Sequence, residues 1–588
     1  VWTNYFENGT IKNVSNYKDD KLEGDYVEHY GNGKLKTSGN YSNDLSTGTW
    51  RYYHSNGRLQ STGNYKEGLA VGEWSFFDER GALTESKNFD NAGKLQGENK
   101  FFYHGKAHCV NTYKNDVLVG VVYTDSLGKQ LGKFGSSNGT FAVKQYYPTG
   151  QLSAEGQFKK GKMHGNWKYY FPEGSKHSEF VYEDGYVQGN AAEYFKSGGK
   201  KYSFQYKDGK FDGKFEEFYP HGQLKQTGQY GDGDRQQQWL AYYPDGVIES
   251  DYYYLNGELY GICYDYTTTG KPSSVTEFDR DRLKDLITYN AAGSSVTRKV
   301  TQGKNIEYES KYKNGKQQTK FVTSCGDYTS ITKWFPNGNI FYSYKLLSGR
   351  KEGSYQYNSL TGKTIVQGEF INGLEEGQWK AFYDNGALDY TGSYLSGKYD
   401  STWVYHFPNG KIFSIANYRE GERNGITRNF GPDGILLVEK NYIEGNLVAY
   451  RPAVTSEEKE EWKPFTGNVS IVITYPNGKK AYEEVYKNGV LHGPKRIYYS
   501  NGSLYSEYNY ALGDYHGEYR LYHDNGQLKE KGTYKLDELN GTVERYNADG
   551  SLYMSEEYVM GVRSGKAIVF EKGKKKIEFD FYAGIPYE

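Results

Sequence analysis

The chain has 588 residues, with 72 Lys and Arg against 73 Asp and Glu, 17% aromatic residues, and 63 tyrosines and 73 glycines beside only 13 prolines. So even a balance gives no sequence-wide field to draw nucleic acid or an anionic membrane, three scattered cysteines (Cys109, Cys263, Cys325) make no disulfide framework, and no apolar run reaches the ~18 to 20 residues of a membrane-spanning helix. Apolar area has to come from rings, which also suit the pleated surface of a strand.

From its first residues, "VWTNYFENG", which carry no signal-peptide pattern, the chain repeats itself. Taking the second residue of each turn pair as an anchor, Gly9, Gly33, Gly57, Gly81 and Gly105 stand 24 residues apart. The same interval separates Gly150, Gly174, Gly198, Gly222, Gly246 and Gly270, then Gly338, Gly362, Gly386, Gly410 and Gly434, then Gly478, Gly502, Gly526 and Gly550. A period in this range marks a solenoid, propeller or array and outranks a domain count from length. Other columns keep the register. An aromatic stands eight after the anchor, as at Tyr17, Tyr41, Tyr65, Phe158, Tyr230, Phe370, Tyr394 and Tyr534, and a tryptophan seven before it at Trp2, Trp50, Trp74, Trp167, Trp239, Trp379 and Trp403. Leu recurs two after it, as at Leu35, Leu59, Leu152 and Leu528.

The unit "WRYYHSNGRLQSTGNYKEGLAVGEW" at 50–74 shows what one period does. Asn56-Gly57 suits a two-residue type I′ turn, where both central residues need positive φ. That turn pairs Tyr53 with Gln60, Tyr52 with Ser61 and Trp50 with Gly63. One face then carries Trp50, Tyr52, Leu59 and Tyr65, and Gly63 leaves room for the Trp50 indole to lie across the strand. "YKEGLAVG" and its equivalents make the return connection to the next hairpin. With no 3.6-residue apolar period anywhere in the repeats, the expected fold is all-β: an elongated solenoid of stacked antiparallel β-hairpins, about 24 residues per repeat.

The register lapses between anchors 105 and 150, 270 and 338, and 434 and 478. These lapses divide the chain into repeat blocks 1–145 and 146–278, a degenerate joint 279–330, block 331–445, a charged insertion 446–470 and block 471–588 with a C-terminal cap.

Motifs that would carry chemistry fit turns better than sites. "GSSNG" at 135–139 makes Ser137 a formal nucleophile, but in a Ser-Gly linker between hairpins rather than on a strand-turn-helix elbow. "GKT" at 362–364 lacks the upstream glycine of a phosphate loop. His104, His108 and Cys109 are soft-metal ligand types without a fourth partner, and Asp232 and Asp234 lack the closing Glu of a Ca²⁺ loop. No catalytic, cofactor or metal residue is assigned. The stripe four before the anchor, Tyr53, Phe77, Tyr146, Tyr170, Tyr194, Phe218, Tyr242, Tyr266, Phe382, Tyr498, Tyr522 and Tyr546, falls on the face opposite Trp50 and Leu59 in a two-residue turn. It reads both as a cross-strand stiffening ladder and as a candidate interaction stripe, Tyr-rich surfaces being common at interfaces.

The pattern Gly-x-Trp-x-x-Tyr-x-x-x-Asn-Gly-x-Leu, then Gly-x-Tyr-x-x-Gly, best displayed in "GTWRYYHSNGRLQSTGNYKEGLAVG" and "GQWKAFYDNGALDYTGSYLSGK", resembles the MORN-repeat variant of bacterial proteins, including the YwqK-like antitoxin family. The resemblance implies stacked β-hairpins and a role in protein association, with lipid contact proposed for MORN proteins more broadly, and it brings no catalytic residue. A weaker likeness is to the cell-wall and glucan-binding repeats of bacterial surface proteins.

Together these readings predict a non-enzymatic, extended protein–protein interaction scaffold in a bacterial cell envelope (periplasm, outer membrane or cell surface). Its partners are proteins in a larger complex, with lipid or glycan contact left open, no nucleic acid, no transmembrane segment and no cofactor. The alternatives are a YwqK-like antitoxin or immunity protein in the cytoplasm and a surface glycan-binding repeat protein. Lys572, Lys574, Lys575 and Lys576 beside the last strand-like run are expected to protect that edge, while Val1 to Tyr17 are expected to make edge contacts with another chain or with further sequence.

Overall fold

A computed structural model describes the chain except residues 7–8, 31–32, 55, 79–80, 104, 290–294, 300–304, 313–314, 325–327, 348–349, 372, 454–460 and 587–588, and leaves undescribed the side chains of 282–286, 288, 295–299, 305–310, 321–324, 328–329, 346–347 and 350. The described residues form β-strands, turns and bends and no helix. Cys325 and His104 lie outside them.

Two compact units divide the chain: Val1–Glu193 with Gln205–Lys210, and Tyr194–Phe204 with Phe211–Glu588. In the first, strands from Trp2–Tyr5 to Gln130–Gly135 form one antiparallel sheet in unbroken chain order, and those from Phe141–Tyr146 to Lys176–Glu183 repeat the scheme. In the second, the same meander runs from Gly213–Phe218 to Ser295–Lys299, from Asn305–Lys311 to Lys463–Pro464 and from Val469–Thr474 to Ile585–Pro586, two-residue strands pairing alongside. The sheets end within the three stretches where the 24-residue interval lapses.

The turn chemistry differs from the expectation. Gly57 N–H donates to His54 O and His54 N–H to Arg58 O, both at 2.8 Å. This is a three-residue turn in which Gly57 has positive φ, +84°, the pattern of a hairpin loop closed by a bulged glycine. Tyr53 consequently pairs with Leu59 rather than Gln60. A second bulge at Tyr52/Tyr53 cancels the shift, so Tyr52 faces Ser61 and Trp50 faces Gly63 as expected. The type I′ turns lie at the return connections instead: Lys66 pairs with Leu69 around Glu67 and Gly68, at φ 51° and 80°. The same geometry recurs at Asn43-Asp44 and Asn115-Asp116. In these repeats the two kinds of turn alternate along the meander, whereas the return after Phe89 takes the three-residue form, Gly93 N–H donating to Asp90 O at 3.1 Å and Asp90 N–H to Lys94 O at 2.9 Å.

The indole also lies elsewhere than expected. Trp50 rests over Gly39 of the preceding hairpin, not Gly63: a methyl group on Gly39 would come within 2.2 Å of Trp50 Cδ2, and Gly63 stands in that relation to Trp74, at 2.1 Å. The Trp50 and Trp74 Nε1–H groups donate to Asn40 O and Asn64 O at 3.2 Å. On the strand bearing Trp74 the ladder skips Gly72, Glu73 and Trp74, passing from Thr62↔Ser75 to Asn64↔Val71. That bulge re-aims the ring across the glycine. The same stack joins Trp167 to Gly156, Trp239 to Gly228, Trp379 to Gly368 and Trp403 to Gly392.

Around each indole the tyrosine columns pack edge to face. Trp50 meets Tyr41 and Tyr65 with ring centroids 5.0 and 5.9 Å apart and interplanar angles above 80°, and Trp403 meets Tyr394 in the same way at 5.0 Å. Such pairs add roughly 0.5–1.5 kcal/mol each beyond area burial. Trp2 is the exception at 68% exposure, since the strand Trp2–Tyr5 pairs only with Ile11–Lys18. At the far end of the second unit, Phe335, Phe341 and Leu360 pack on Met554, Ala567, Phe579 and Phe581, with Phe335 and Phe579 stacked at 6.0 Å.

Trp379, 6% exposed between Phe370 and Tyr394, tests this packing. Trp379→Ala should lower stability by about 3–5 kcal/mol. Hydrogen exchange should accelerate across residues 370–415, because each hairpin leans on its neighbour. Unchanged exchange outside the mutated strand would contradict the shared stack.

Candidate functional site: a tyrosine-walled cavity

All twelve stripe residues, from Tyr53 to Tyr546, are half-buried. Their hydroxyls meet carboxylates in several repeats: Tyr170 donates to Glu155 at 2.7 Å, Tyr498 to Glu483 at 2.7 Å and Tyr546 to Glu544 at 2.9 Å. Their backbone carbonyls serve a column the sequence reading passed over, three before the anchor. Tyr30 Oη donates to Tyr53 O at 2.6 Å, Tyr147 to Tyr170 O at 2.7 Å, Tyr219 to Tyr242 O at 2.8 Å and Tyr243 to Tyr266 O at 2.9 Å. His54 Nε2 and His523 Nε2 reach Phe77 O and Tyr546 O at 3.0 and 2.9 Å. In these repeats one side chain thus ties a hairpin turn to the next.

The motif residues sit in turns and strands. Ser137 is exposed in the turn between Gln130–Gly135 and Phe141–Tyr146, two strands. Lys363 of the Gly-Lys-Thr stretch donates to Asp384 O at 2.8 Å. Asp232 occupies a return turn at φ 53°. Cys109 is buried, which pushes its thiol up to about 11, and burial lowers His108. Among the described residues no group of three or more His, Cys, Asp or Glu converges.

What the structure does bring together lies within the second unit. There the turns around Tyr383–Phe413 and Pro432–Asp433 face the strands Gly493–Tyr498, Leu504–Ala511 and Gly517–Tyr522 across a cavity of about 830 Å³. Phe407 meets Tyr505 edge to face at 5.0 Å, and the Asp433 carboxylate accepts from Ser500 N–H at 2.5 Å, closing one side. Nine tyrosines line the wall, with Lys495 and Lys529 set among them and five carboxylates, Asp384, Asp389, Asp433, Asp524 and Glu530, beside them.

The repeat columns show how unusual Lys495 is. It stands seven before Gly502, the slot that tryptophan fills in Trp50 or Trp403, and Glu484, eleven residues earlier, occupies the glycine slot beneath. A ring on a glycine has become a cation beside an anion. Glu484 is already engaged: Lys440 forms an ion pair with it, and Tyr482 and Tyr486 donate to it at 2.6 and 3.2 Å. Burial works to raise its carboxyl, and Lys440 and Lys495 overcome that, holding it below its ordinary range. Lys495 itself makes no hydrogen bond or ion pair among the described residues; its ammonium lies 5.9 Å from the centre of the Tyr482 ring. Burial drives its pKa down, Glu484 pulls it back, and Lys440 and Arg423 push it down again, leaving it at about 8. Lys529 is likewise lowered by burial, against the pull of Glu530.

Segments 1–19, 22–43, 46–67, 142–160, 163–184, 211–232, 375–395, 491–511 and 515–536 match the family model of the MORN repeat variant. Each of those at 22–43 and 46–67 covers one hairpin, from tryptophan-type strand to return turn. These segments resemble the MORN repeat variant. No curated protein matches the chain. Among solved structures, the chain from "Crystal Structure of TcdB2-TccC3-Cdc42" is 11% identical over 96% of this chain and 34% of that one, at a TM-score of 0.18. The chain from "Crystal Structure of TcdB2-TccC3 without hypervariable C-terminal region" is 10% identical over 93% and 32%, also at 0.18. This chain spans about a third of their length, and at such TM-scores the likeness goes no further than these figures.

Within the MORN-variant repeats, the Lys495 slot yields a pH test. The unfolded chain keeps this lysine proton up to its ordinary value of 10.5 whereas the folded chain releases it near 8, so the unfolded state binds more protons between the two and the group's unfavourable contribution fades as pH rises. Lys495→Met should therefore be more resistant to denaturant than the parent at pH 7, and the gap should narrow from pH 8 toward 10.5. A gap constant over that window would contradict an unpaired, buried ammonium.

Proposed function

We propose that this MORN-variant repeat protein is a non-enzymatic scaffold that holds a protein partner on the outer face of its sheets, and that it works in a bacterial cell envelope. The observation that supports the reading is a local break in the repeat. Seven after the anchor the side chain is polar in most hairpins, as at Asn40, Asn64, Asn88, Gln229 and Asn417, and so is the position eight before the next anchor, as at Thr49, Glu73, Asn166, Gln378 and Thr402. In one hairpin these columns carry Tyr253 and Ile262 instead.

Those residues lie on neighbouring strands, Ile248–Leu255 and Glu258–Tyr266, which pair through Asp251↔Tyr264 and Tyr254↔Leu259. Tyr253, Leu255, Tyr260 and Ile262 are all exposed, Ile262 by 54%, while Trp239 and Cys263 of the same region are buried. An apolar, tyrosine-bearing patch rimmed by polar columns is the composition of a protein-binding surface. A solenoid-like meander supplies a rigid support on which such a patch is changed in one repeat without disturbing the others. The envelope setting follows the abundance of Asn, Ser, Thr, Tyr and Gly and the family resemblance.

Tyr253→Asn with Ile262→Gln restores the polar columns. The double variant should melt as the parent does, within about 0.5 kcal/mol, since surface exchanges of this kind are near neutral. A photo-reactive residue at position 255, expressed in the native host, should cross-link a discrete protein in the parent and lose that product in the double variant. A product that persists in the variant, or none in the parent, would remove the patch as the docking surface.

A further inference from the structure

The cavity of the second unit is a different place, and its chemistry points to a small ligand. Its 830 Å³ falls in the range of roughly 300–1,000 Å³ typical of small-molecule sites. Two kinds of polar group face it without a protein partner. The first is the Lys495 ammonium. Around it stand two further cations, Lys440 and Arg423, and one carboxylate, Glu484. Lys440, Tyr482 and Tyr486 occupy the Glu484 oxygens, and Arg423 is turned to the Tyr418 and Tyr442 hydroxyls, both at 3.3 Å. The second kind is a set of phenol hydroxyls: those of Tyr505, Tyr508 and Tyr553 make no hydrogen bond to described residues, although their rings are enclosed.

We propose that this cavity binds an acidic saccharide, with the sugar carboxylate at Lys495 and the sugar hydroxyls among Tyr505, Tyr508 and Tyr553. A half-buried ammonium in the cavity wall whose one neighbouring carboxylate, Glu484, is already engaged by Lys440, Tyr482 and Tyr486 is incompletely neutralised in the empty protein, so an anion brought by the ligand gains the attraction. The hydroxyls decide what the rest of the ligand is. A ring with several OH groups satisfies phenol donors and acceptors together, whereas a purely aromatic acid would leave them unsatisfied. The flat, apolar faces of the tyrosines offer the surface on which a sugar ring lies. The remaining wall carboxylates suit the same ligand. Glu530 is held by Arg545 at 2.9 Å and Tyr519 at 2.7 Å, and burial pushes the Asp389 carboxyl up beside Tyr383, whose hydroxyl donates to His406 O at 2.6 Å. Asp384, Asp433 and Asp524 also line the cavity and can accept from sugar hydroxyls.

The slot pattern shows that this site is built. Glu484 and Tyr508 occupy the glycine column and Lys495 the tryptophan column of successive hairpins. The stacking device of the repeat is therefore given up where the cavity opens, and Tyr508 stacks instead on Tyr519 at 5.3 Å, ring planes 1° apart. A chain selected only for stable stacking would keep indole on glycine here.

Titration calorimetry on the full chain at pH 7 and low salt, with trigalacturonate as the probe, tests the proposal. Maltotriose serves as its neutral counterpart and benzoate as an aromatic acid without hydroxyls. The expected result is saturable binding of trigalacturonate, with maltotriose and benzoate at least tenfold weaker. Lys495→Met should weaken trigalacturonate at least tenfold while its melting point holds or rises, which separates lost binding from lost folding. Tyr508→Phe, which keeps the ring and removes the hydroxyl, should weaken it several-fold, and Lys214→Met, an exposed lysine on Glu216, should leave it unchanged. The proposal is overturned by no heat with trigalacturonate up to about 10 mM, a concentration beyond which an interaction would be weaker than about −3 kcal/mol. It is equally overturned by benzoate or maltotriose binding as tightly as the acidic sugar, or by undiminished binding to a folded Lys495→Met.

Discussion

Everything regular in this protein depends on an indole laid flat across a glycine eleven residues earlier. Contacts near 2 Å to a virtual methyl group on Gly39, Gly63, Gly156, Gly228, Gly368 and Gly392 leave no room for any other residue there. The contact is also directional. Trp50, Trp74, Trp167, Trp239, Trp379 and Trp403 each reach back onto the preceding hairpin, so in these repeats a hairpin's ring-lined face is completed by its successor. A two-stranded ribbon is marginal in water, and this reach makes the unit of stability a pair of neighbours rather than a single hairpin.

The two turn types follow from the same demand. The bulge that turns the indole onto the glycine needs residues on the tryptophan strand that have no partner opposite, and the three-residue turn with its own cancelling bulge keeps the remaining ladder in step. The tight return turn adds no residue of its own. With the offsets confined to fixed points, 24 residues always return the chain to the same height on the sheet. Where Tyr or His stands three before the anchor, as at Tyr30, His54, Tyr147 and Tyr219, it locks the turn of one hairpin to the carbonyl of the next, an edge tie independent of the stack.

The period, the all-β class and the one-faced assembly of Trp and Tyr columns were legible because each rests on a residue type recurring at fixed spacing. Turn geometry was not. Asn56-Gly57 satisfies a type I′ turn locally, and only the bulge at Tyr52/Tyr53, a property of the paired strand, makes the three-residue turn fit. The partner of Gly63 was misassigned for a related reason: cross-strand pairing gives Trp50 as its neighbour, but the ring that lies on it belongs to the next strand over, and two-residue periodicity says nothing of where a bulge aims a side chain. The Tyr column three before the anchor was visible in the sequence all along. It shared its aromatic character with the stripe beside it, and composition alone does not separate a ring that ties carbonyls from one that lines a face.

The cavity shows what a repeat protein's own sequence discloses once the stacking rule is known. Where every hairpin has the same job, departures from the column carry information that no single residue type does. Lys, Glu or Tyr is unremarkable in an edge strand, yet Lys495 in an indole slot and Glu484 in a glycine slot each give up a packed contact, and together they place charge where the fold has a better alternative. Replacing buried ion pairs by apolar groups is frequently neutral or stabilising, so stability does not account for Lys495, whose ammonium lacks even a pair. Local disagreement between residue and environment concentrates at functional positions. Two such departures differ in polarity, the exposed Tyr253 and Ile262 placing apolar groups toward water and Lys495 placing a charge in a cavity wall, and that difference is why a macromolecule is proposed for the first and a small anion for the second.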